Sequence, residues 1–255
     1  MYLFPAMISF SAMIFFLAVN RDTYYSTELL LPSFAFAASY AAATVFSVLA
    51  IRYGSLAKTA LITSCSLLVP SCYGILWLNE PVSLFLSFGM ILLVASLVLT
   101  NYRKDSEEKR LSWKWVICVF LAFLGNGLCS TVQKAKPLYY GEEGNGLFMT
   151  VAFAMVTVIM LVMAFCSRQE RSTLGHTFKN GWLLALLCGT ANGLTNLLVL
   201  YLNARVPASV MFPIISAGSV VLVFLYSVFV NRERFSAKQY VGFILGIISI
   251  VLLNL

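Results

Sequence analysis

Polar side chains recur at helical spacing inside long segments of the chain that carry no charge. Asn126, Ser130 and Gln133 are separated by four and then three residues, which places them on one face of a helix. Asn192 and Asn196 are one helical turn apart. Carboxamides carry both donors and acceptors, and polar groups in an apolar bundle usually face its interior or a water-filled cavity. The spacing therefore predicts a polar site for a small molecule.

Further polar residues on other predicted helices extend this site, which we expect near the membrane midplane. The predicted substrate-binding residues are Tyr40, Thr63, Ser66, Asn126, Ser130, Gln133, Asn192, Asn196, Ser216 and Ser219. For the serines and threonines, hydrogen bonding to the backbone or to a neighbouring helix is the simpler interpretation. The four carboxamides are compatible with either a packing or a binding role, because each has several hydrogen-bonding groups to satisfy.

The residues that would indicate catalysis or a metal are missing from these segments. The single histidine, His176, falls in a predicted loop, and so do both aspartates, Asp22 and Asp105. A serine protease needs a histidine beside its nucleophile, and a zinc protease needs a His-Glu-x-x-His sequence. The six cysteines form no Cys-x-x-Cys pair. We therefore predict that the chain is not an enzyme and uses no cofactor or metal.

Charged side chains avoid the apolar segments. All ten acidic residues fall in or beside predicted loops: Asp22, Glu28, Glu80, Asp105, Glu107, Glu108, Glu142, Glu143, Glu170 and Glu233. A lipophilic cation would need a carboxylate within the membrane, so we expect a neutral, zwitterionic or anionic metabolite. Lys134 and Lys136 should extend to the membrane interface, with Lys134 as a candidate partner for an anionic group. Glu80 should satisfy the first turn of the helix that follows it.

The composition of the chain places these residues in a membrane. Hydrophobic residues make up 60% of the sequence and charged residues 11%, with a mean hydropathy of +0.89. A helix needs roughly 20 apolar residues to cross a bilayer, and nine such segments are predicted. They cover residues 2–19, 32–51, 58–78, 82–101, 113–133, 146–166, 181–203, 206–230 and 237–255. The net charge of +7 does not indicate nucleic-acid binding, because the basic residues form no stripe on a soluble face.

An internal repeat organises these segments. Residues 49–101 recur without a gap as residues 202–254, so that Glu80 matches Glu233 and Ser96 matches Ser249. Matching segments lie five spans apart, so the two copies should cross the membrane in opposite directions, as an inverted repeat. The predicted domains are an incomplete N-terminal repeat at 1–102, a charged linker at 103–112 and a C-terminal repeat at 113–255.

The distribution of basic residues predicts an orientation. Thirteen of the 17 Lys and Arg residues fall on one side of the predicted spans. Short cytoplasmic loops carry such an excess, so we expect the N-terminus inside and the C-terminus outside. Small residues also form a stripe on the fourth and ninth segments: Gly89, Ser96, Gly242, Gly246 and Ser249. This stripe predicts close helix packing, either within the chain or between subunits.

The repeated residues resemble those of a known family. The first copy contains Tyr53-Gly54-Ser55-Leu56-Ala57, Pro70, Asn79-Glu80-Pro81 and Gly89. The second contains Ala208-Ser209-Val210-Met211-Phe212-Pro213, Glu233 and Gly242. Both are similar to the EamA-type repeat of the drug/metabolite transporter superfamily. The resemblance implies ten helices arranged as five plus five. This chain shows four plus five, with the counterpart of the first helix missing.

The resemblance also implies a function. It predicts a multi-pass permease of the cell (plasma) membrane, a secondary transporter that moves a small metabolite by alternating access. A channel or a non-transporting membrane scaffold is the alternative, because repeats occur in those classes too. The expected partners are the small-molecule substrate and the lipid bilayer. A coupling proton or counter-solute and a homodimer remain open, and no nucleic acid is expected.

Overall fold

A computed structural model describes residues 2–20, 26–54, 56–100, 112–167, 174–229 and 236–253 of the chain. The predicted charged linker, apart from its last residue, lies outside this part. So do six of the ten acidic residues, including Glu233.

The described residues form α-helices and contain no strand. The helices are α1 (Leu3–Val19), α2 (Leu30–Tyr53), α3 (Leu56–Ser64), α4 (Leu68–Trp77), α5 (Leu84–Thr100), α6 (Trp113–Tyr140), α7 (Asn145–Cys166), α8 (Leu174–Asn203), α9 (Ala208–Phe229) and α10 (Ala237–Leu253). A 3₁₀ turn at Thr27–Leu29 leads into α2, and another at Cys65–Leu67 joins α3 to α4. Counting α3 and α4 as one interrupted span, the described residues match the nine predicted spans. The all-α polytopic membrane fold is confirmed.

Four helical stretches are long and apolar enough to cross a membrane by themselves. They are Thr27–Tyr53, Trp113–Tyr140, Asn145–Cys166 and Gly175–Asn203. Shorter apolar stretches of 10–17 residues reach only the lower end of the usual transmembrane length: Leu3–Val19, Ile62–Trp77, Leu84–Thr100, Ala208–Ser219 and Ala237–Leu253. Ala208–Ser219 is the first part of α9, whose whole length is 22 residues.

Two helices extend beyond their predicted bounds. The α6 helix continues to Tyr140 through Pro137, so Lys134 and Lys136 lie within its last turns. The α8 helix begins at Leu174, which puts His176 in its first turn and not in a loop. Both predicted ends were wrong because short polar stretches were taken as the ends of helices.

Contacts divide the chain into two compact units, and each unit mixes the two halves of the sequence. Unit 1 contains Met1–Val48 and Leu128–Arg205, and unit 2 contains Leu49–Gly127 and Val206–Leu255. The helices α2 and α6 contribute residues to both units. The predicted domains follow the sequence repeats, whereas these units follow contacts, and within a unit helices from one half pack against helices from the other.

In unit 2, the repeated helices α5 and α10 pack against each other through reciprocal hydrogen bonds. The Ser96 hydroxyl donates to the Gly242 carbonyl at 2.6 Å, and the Ser249 hydroxyl donates to the Gly89 carbonyl at 2.9 Å. Ser96 and Ser249 are equivalent positions of the repeat, and so are Gly89 and Gly242. Residue numbers rise along one helix as they fall along the other. The helices are therefore antiparallel, as an inverted repeat requires, and the small-residue stripe is used within the chain.

Unit 1 contains a second antiparallel pair, α1 and α7, built around aromatic side chains. The rings of Phe16 and Phe153 stack with centroids 6.0 Å apart, and Ala6 packs near Val156 and Met160. Phe16, Phe153 and their neighbours in this core are fully buried. Lipid tails are as apolar as this core, so burial alone does not drive the helices together. Packed rings instead hold the helices in position through shape complementarity and dispersion contacts.

Glu80 caps a different helix from the one predicted. Its two carboxylate oxygens accept hydrogen bonds from the backbone N–H groups of Ala208 and Ser209, each at 2.8 Å, at the start of α9. The helix after Glu80 has its own cap, because the Ser83 hydroxyl accepts from the N–H of Leu86 at 3.0 Å. Asn79, with a φ of 51°, turns the chain immediately before Glu80. The carboxylate thus joins two elements of unit 2 that are far apart in sequence.

Adding one methyl group at Gly242 should test the contact between α5 and α10. A Cβ there would lie 2.6 Å from the backbone nitrogen of Thr100, and overpacking of this kind costs about 1–3 kcal/mol. Gly242→Ala should therefore lower the unfolding temperature of the detergent-purified protein. Gly218→Ala on α9 is the matched control, since a Cβ there meets nothing within 4 Å. Equal unfolding temperatures for the two variants would contradict the described packing.

Removing the Glu80 carboxylate should destabilise unit 2. Glu80→Ala leaves two N–H groups at the start of α9 without their acceptor, a loss of about 1 kcal/mol by analogy with helix caps. Glu28→Ala is the control, because that side chain is exposed near the start of α2. Thermal unfolding of both variants in the same detergent measures the difference. A Glu80→Ala protein as stable as the Glu28→Ala protein would show that the cap is unimportant.

Candidate functional site

Four of the predicted site residues form one hydrogen-bonded network in unit 1. The Nδ2 group of Asn192, on α8, donates to the hydroxyl of Tyr40, on α2, at 3.2 Å. The Nδ2 group of Asn196 donates to the Oδ1 and backbone oxygens of Asn192 at 2.9 and 2.8 Å. The Nε2 group of Gln133, on α6, donates to the Oδ1 and backbone oxygens of Asn196, both at 3.2 Å. We call these four residues the carboxamide network.

The network continues to a residue that the sequence analysis missed. The Nδ2 group of Asn203 donates to the backbone oxygen of Gln133 at 2.9 Å, and the Lys134 ammonium donates to the backbone oxygen of Asn203 at 2.8 Å. The Oδ1 atom of Asn203 is buried and has no hydrogen-bond partner within the described part of the chain. Asn203 follows Asn196 by seven residues, and this two-turn spacing was the signal that could have found it.

Lys134 and Lys136 are buried inside the protein and do not extend outward from it as predicted. Their exposed fractions are 4% and 1%. The Lys136 ammonium donates to the Gly141 and Glu143 carbonyls at 2.8 and 2.6 Å and to the Asn145 side chain at 2.6 Å. These acceptors hold the charge inside the protein and tie the end of α6 to the turn before α7. A buried lysine requires such acceptors because an unsatisfied charge is costly there.

Aromatic rings surround the Tyr40 end of the carboxamide network. The Tyr40 ring packs against Phe36 and Phe153 with centroid distances of 6.0 and 5.9 Å. Hydrogen bonds strengthen in surroundings of low polarity, where an unpaired polar group also costs more. The site therefore combines an apolar wall with a row of amide groups, which is the usual composition of a small-molecule site.

The predicted residues of unit 2 are engaged differently. The Nδ2 group of Asn126 donates to the buried hydroxyl of Ser66 at 2.7 Å, which links α6 to the 3₁₀ turn between α3 and α4. Thr63 and Ser219 donate to backbone oxygens of their own helices, at 2.9 and 2.7 Å. Ser216 is buried on α9. For Thr63 and Ser219 the contacts match the packing interpretation. Ser130, which belongs to unit 1, is half-buried on α6, between Asn126 and Gln133.

Metal-binding groups are not assembled in the described part of the chain. No three residues among its His, Cys, Asp and Glu side chains come together in a metal-binding arrangement. His176 pairs with Asn180 on the exposed first turns of α8, at 2.9 Å. The hydrogen-bonding groups at the candidate site are amides and hydroxyls, which bind and orient a ligand by donating and accepting hydrogen bonds.

Comparison with known proteins identifies the class to which this fold and site belong. The sequence profile of the EamA-like transporter family matches residues 113–255, more than half of the chain. This match makes the chain a membrane permease or transporter of the drug/metabolite transporter type, and its apolar helices agree with that class. The chain belongs to the EamA-like transporter family, whose members are transporters and not enzymes. The resemblance found in the sequence is thereby confirmed.

A solved structure supports the fold independently. It is described as "Crystal structure of protein" and superposes on this chain with a TM-score of 0.78. The match covers 100% of this chain and 88% of that chain at 12% sequence identity. At this identity the likeness shows the fold alone. No curated protein matches the sequence.

Proposed function

We propose that the chain is a secondary transporter of the plasma membrane that moves a small neutral, zwitterionic or anionic metabolite by alternating access. The observation that carries the proposal is the carboxamide network inside unit 1. Polar groups are expensive among apolar helices, and this network concentrates three carboxamides and a phenol on α2, α6 and α8. The substrate and the lipid bilayer are the partners that the proposal requires.

The hydrogen-bonding capacity of the network suits a ligand with both donors and acceptors. Asn192 and Asn196 are half-buried, so each residue keeps some accessible surface. The Tyr40 oxygen accepts from Asn192, which leaves the hydroxyl proton of Tyr40 able to donate to an oxygen of a substrate. Carboxyl, amino and hydroxyl groups of a metabolite could therefore take over bonds that the residues now make with one another.

The distribution of charge supports the same class of substrate. The four acidic residues that the structure describes, Glu28, Glu80, Glu142 and Glu143, lie outside the middle turns of the long helices. Lys134 is buried, and it is the next residue in the sequence after Gln133, a member of the network. Among the residues that the structure describes, a cation at this site would meet a neighbouring positive charge and no nearby carboxylate, whereas an anion or zwitterion would be attracted.

The inverted repeat supports transport by alternating access. In transporters with inverted repeats, alternating access is largely a rocking of one repeat against the other around a site near the midplane. The antiparallel pairs α5 with α10 and α1 with α7 each combine one helix from either half of the sequence. A channel or a scaffold has no need for such rocking.

Counterflow in proteoliposomes tests the proposal. Vesicles containing the protein are loaded with one unlabelled metabolite, and uptake of its labelled form is followed for a panel of amino acids, carboxylates and neutral sugars. A carrier should show uptake stimulated by internal substrate for at least one class, and a channel or scaffold should not. Absence of stimulation across the panel, with the folded protein present in the vesicles, would argue against the transporter proposal.

Substitution of Asn196 by alanine should then show whether the network binds substrate or only stabilises the fold. Asn196→Ala removes the central link of the network, and loss of a hydrogen bond to a charged substrate group costs about 1.5–3 kcal/mol. We expect exchange to fall roughly 10- to 100-fold. Thr195→Ala is the matched control, because Thr195 is exposed and donates to the backbone oxygen of Ala191. Normal exchange by Asn196→Ala at normal expression would exclude the network as the site.

Lipophilic cations should be poor substrates. In the same vesicles ethidium should neither be exchanged nor compete with the metabolite that shows counterflow, because the membrane-spanning helices offer it no carboxylate partner. Rapid ethidium exchange by the wild-type protein would contradict the inferred substrate class while leaving the carrier activity itself intact.

A further inference from the structure

An apolar groove lies on unit 1, separate from the carboxamide network. Three helices, α1, α7 and α8, enclose a volume of about 430 Å³. Its walls include Met7 and Phe10 from α1, Leu161 from α7, and Phe178 and Trp182 from α8. The volume is within the range of sites that hold a small molecule or part of a larger one.

The shape of the groove follows from the way α1 and α8 diverge. At Gly189 the helices are so close that a Cβ would overlap Ser11 and the Ile8 carbonyl. Two turns earlier, a Cβ at Gly181 would meet only the Phe4 ring, at 3.5 Å, and at Gly175 it would meet nothing within 4 Å. The groove is thus closed near the middle of α8 and widens toward its beginning.

The groove offers its occupant a hydrocarbon surface. Two polar side chains line it, and both donate within the protein: Ser11 to the Leu186 carbonyl at 3.1 Å, and Thr157 to the Phe153 carbonyl at 2.7 Å. A polar metabolite would lose its hydration here without gaining hydrogen bonds. An alkyl chain would pay no desolvation cost here, because the surrounding lipid is as apolar as the groove.

The exposed rings of the groove have a positive charge next to them on α8, at Lys179, which is not itself a lining residue. Phe178 and Trp182 are 60% and 53% exposed, and in a membrane-spanning protein such surfaces face lipid. Lys179 is exposed on the same turns of α8, three residues before Trp182, and residues at this spacing are neighbours on a helix. A tryptophan beside a lysine is typical of the boundary between acyl chains and head groups.

We propose that the groove is a binding site for one anionic phospholipid, with an acyl chain between α1, α7 and α8 and the phosphate beside Lys179. The lysine supplies the charge complementarity that favours an anionic head group. The diverging helices supply a slot that opens toward that lysine. Lipid binding here is independent of the proposed transport, because it uses none of the residues of the carboxamide network.

Native mass spectrometry of the detergent-purified chain tests this site with dioleoylphosphatidylglycerol and dioleoylphosphatidylcholine as probes. The wild-type protein should retain one phosphatidylglycerol more strongly than phosphatidylcholine, by about fivefold for one lysine at an anionic head group. Met7→Trp or Leu161→Trp should fill the groove from opposite walls and abolish this retention. Lys179→Gln should keep the bound lipid but remove the preference for phosphatidylglycerol.

Leu184→Trp is the matched control, because Leu184 lies on α8, is 57% exposed and does not line the groove. It should bind both lipids as the wild type does. Equal phosphatidylglycerol binding by the control and by both groove-filling variants, all folded, would overturn the proposal. Loss of counterflow with unchanged lipid binding in the groove-filling variants would also overturn it, and would make the groove part of the substrate path.

Discussion

The reciprocal pair of Ser-to-Gly hydrogen bonds between α5 and α10 is the constraint on which the architecture of unit 2 depends. Helices in a bilayer gain little from hydrophobic burial, so close backbone approach and satisfied polar groups hold them together. Gly89 and Gly242 allow the approach, and Ser96 and Ser249 each donate to the glycine of the opposite helix. Because the four residues are equivalent in pairs, one short sequence pattern used twice produces an antiparallel contact. Glu80 also satisfies polar groups within unit 2, because its carboxylate accepts hydrogen bonds from the backbone N–H groups at the start of α9.

The helices could largely be predicted from the sequence, since they follow from hydropathy, and the repeat predicted that its two copies run in opposite directions. The small-residue stripe predicted close packing but not whether the partner helix belongs to the same chain. The bounds of α5, Leu84–Thr100, shifted by the repeat, coincide with those of α10, Ala237–Leu253. The predictions that failed concern side chains whose partners cannot be identified from residue type and spacing. Nothing near Glu80 in the sequence indicates α9 as its partner. The burial of Lys136 likewise depends on a turn, residues 141–145, whose conformation supplies the acceptors.

The sequence predicted which helix faces carry the polar residues of the candidate site, but not which of these residues bond to one another. The spacing of Asn192 and Asn196 places them on one side of α8, and that of Gln133 places it on one side of α6. Which carboxamide meets which depends on the packing of α2, α6 and α8, which spacing alone does not determine. The same limit explains why Thr63 and Ser219, which have suitable spacing, donate to their own helices. Small hydroxyls are readily satisfied by the preceding turn, whereas carboxamides reach farther and have more groups to satisfy.

A network of neutral amides has a physical advantage over charges for a site that must change partners. Charged groups in an apolar bundle carry a large desolvation cost whenever a partner is lost, whereas each amide contact contributes only about 1 kcal/mol. In the proposed site a ligand would therefore replace one contact of the carboxamide network at a time. On α8 this polar stripe at Asn192 and Asn196 follows an apolar stripe at Phe178 and Trp182, with Gly189 packed against α1 between them. The close contact at Gly189 thus separates the proposed polar site from the proposed lipid groove along one helix.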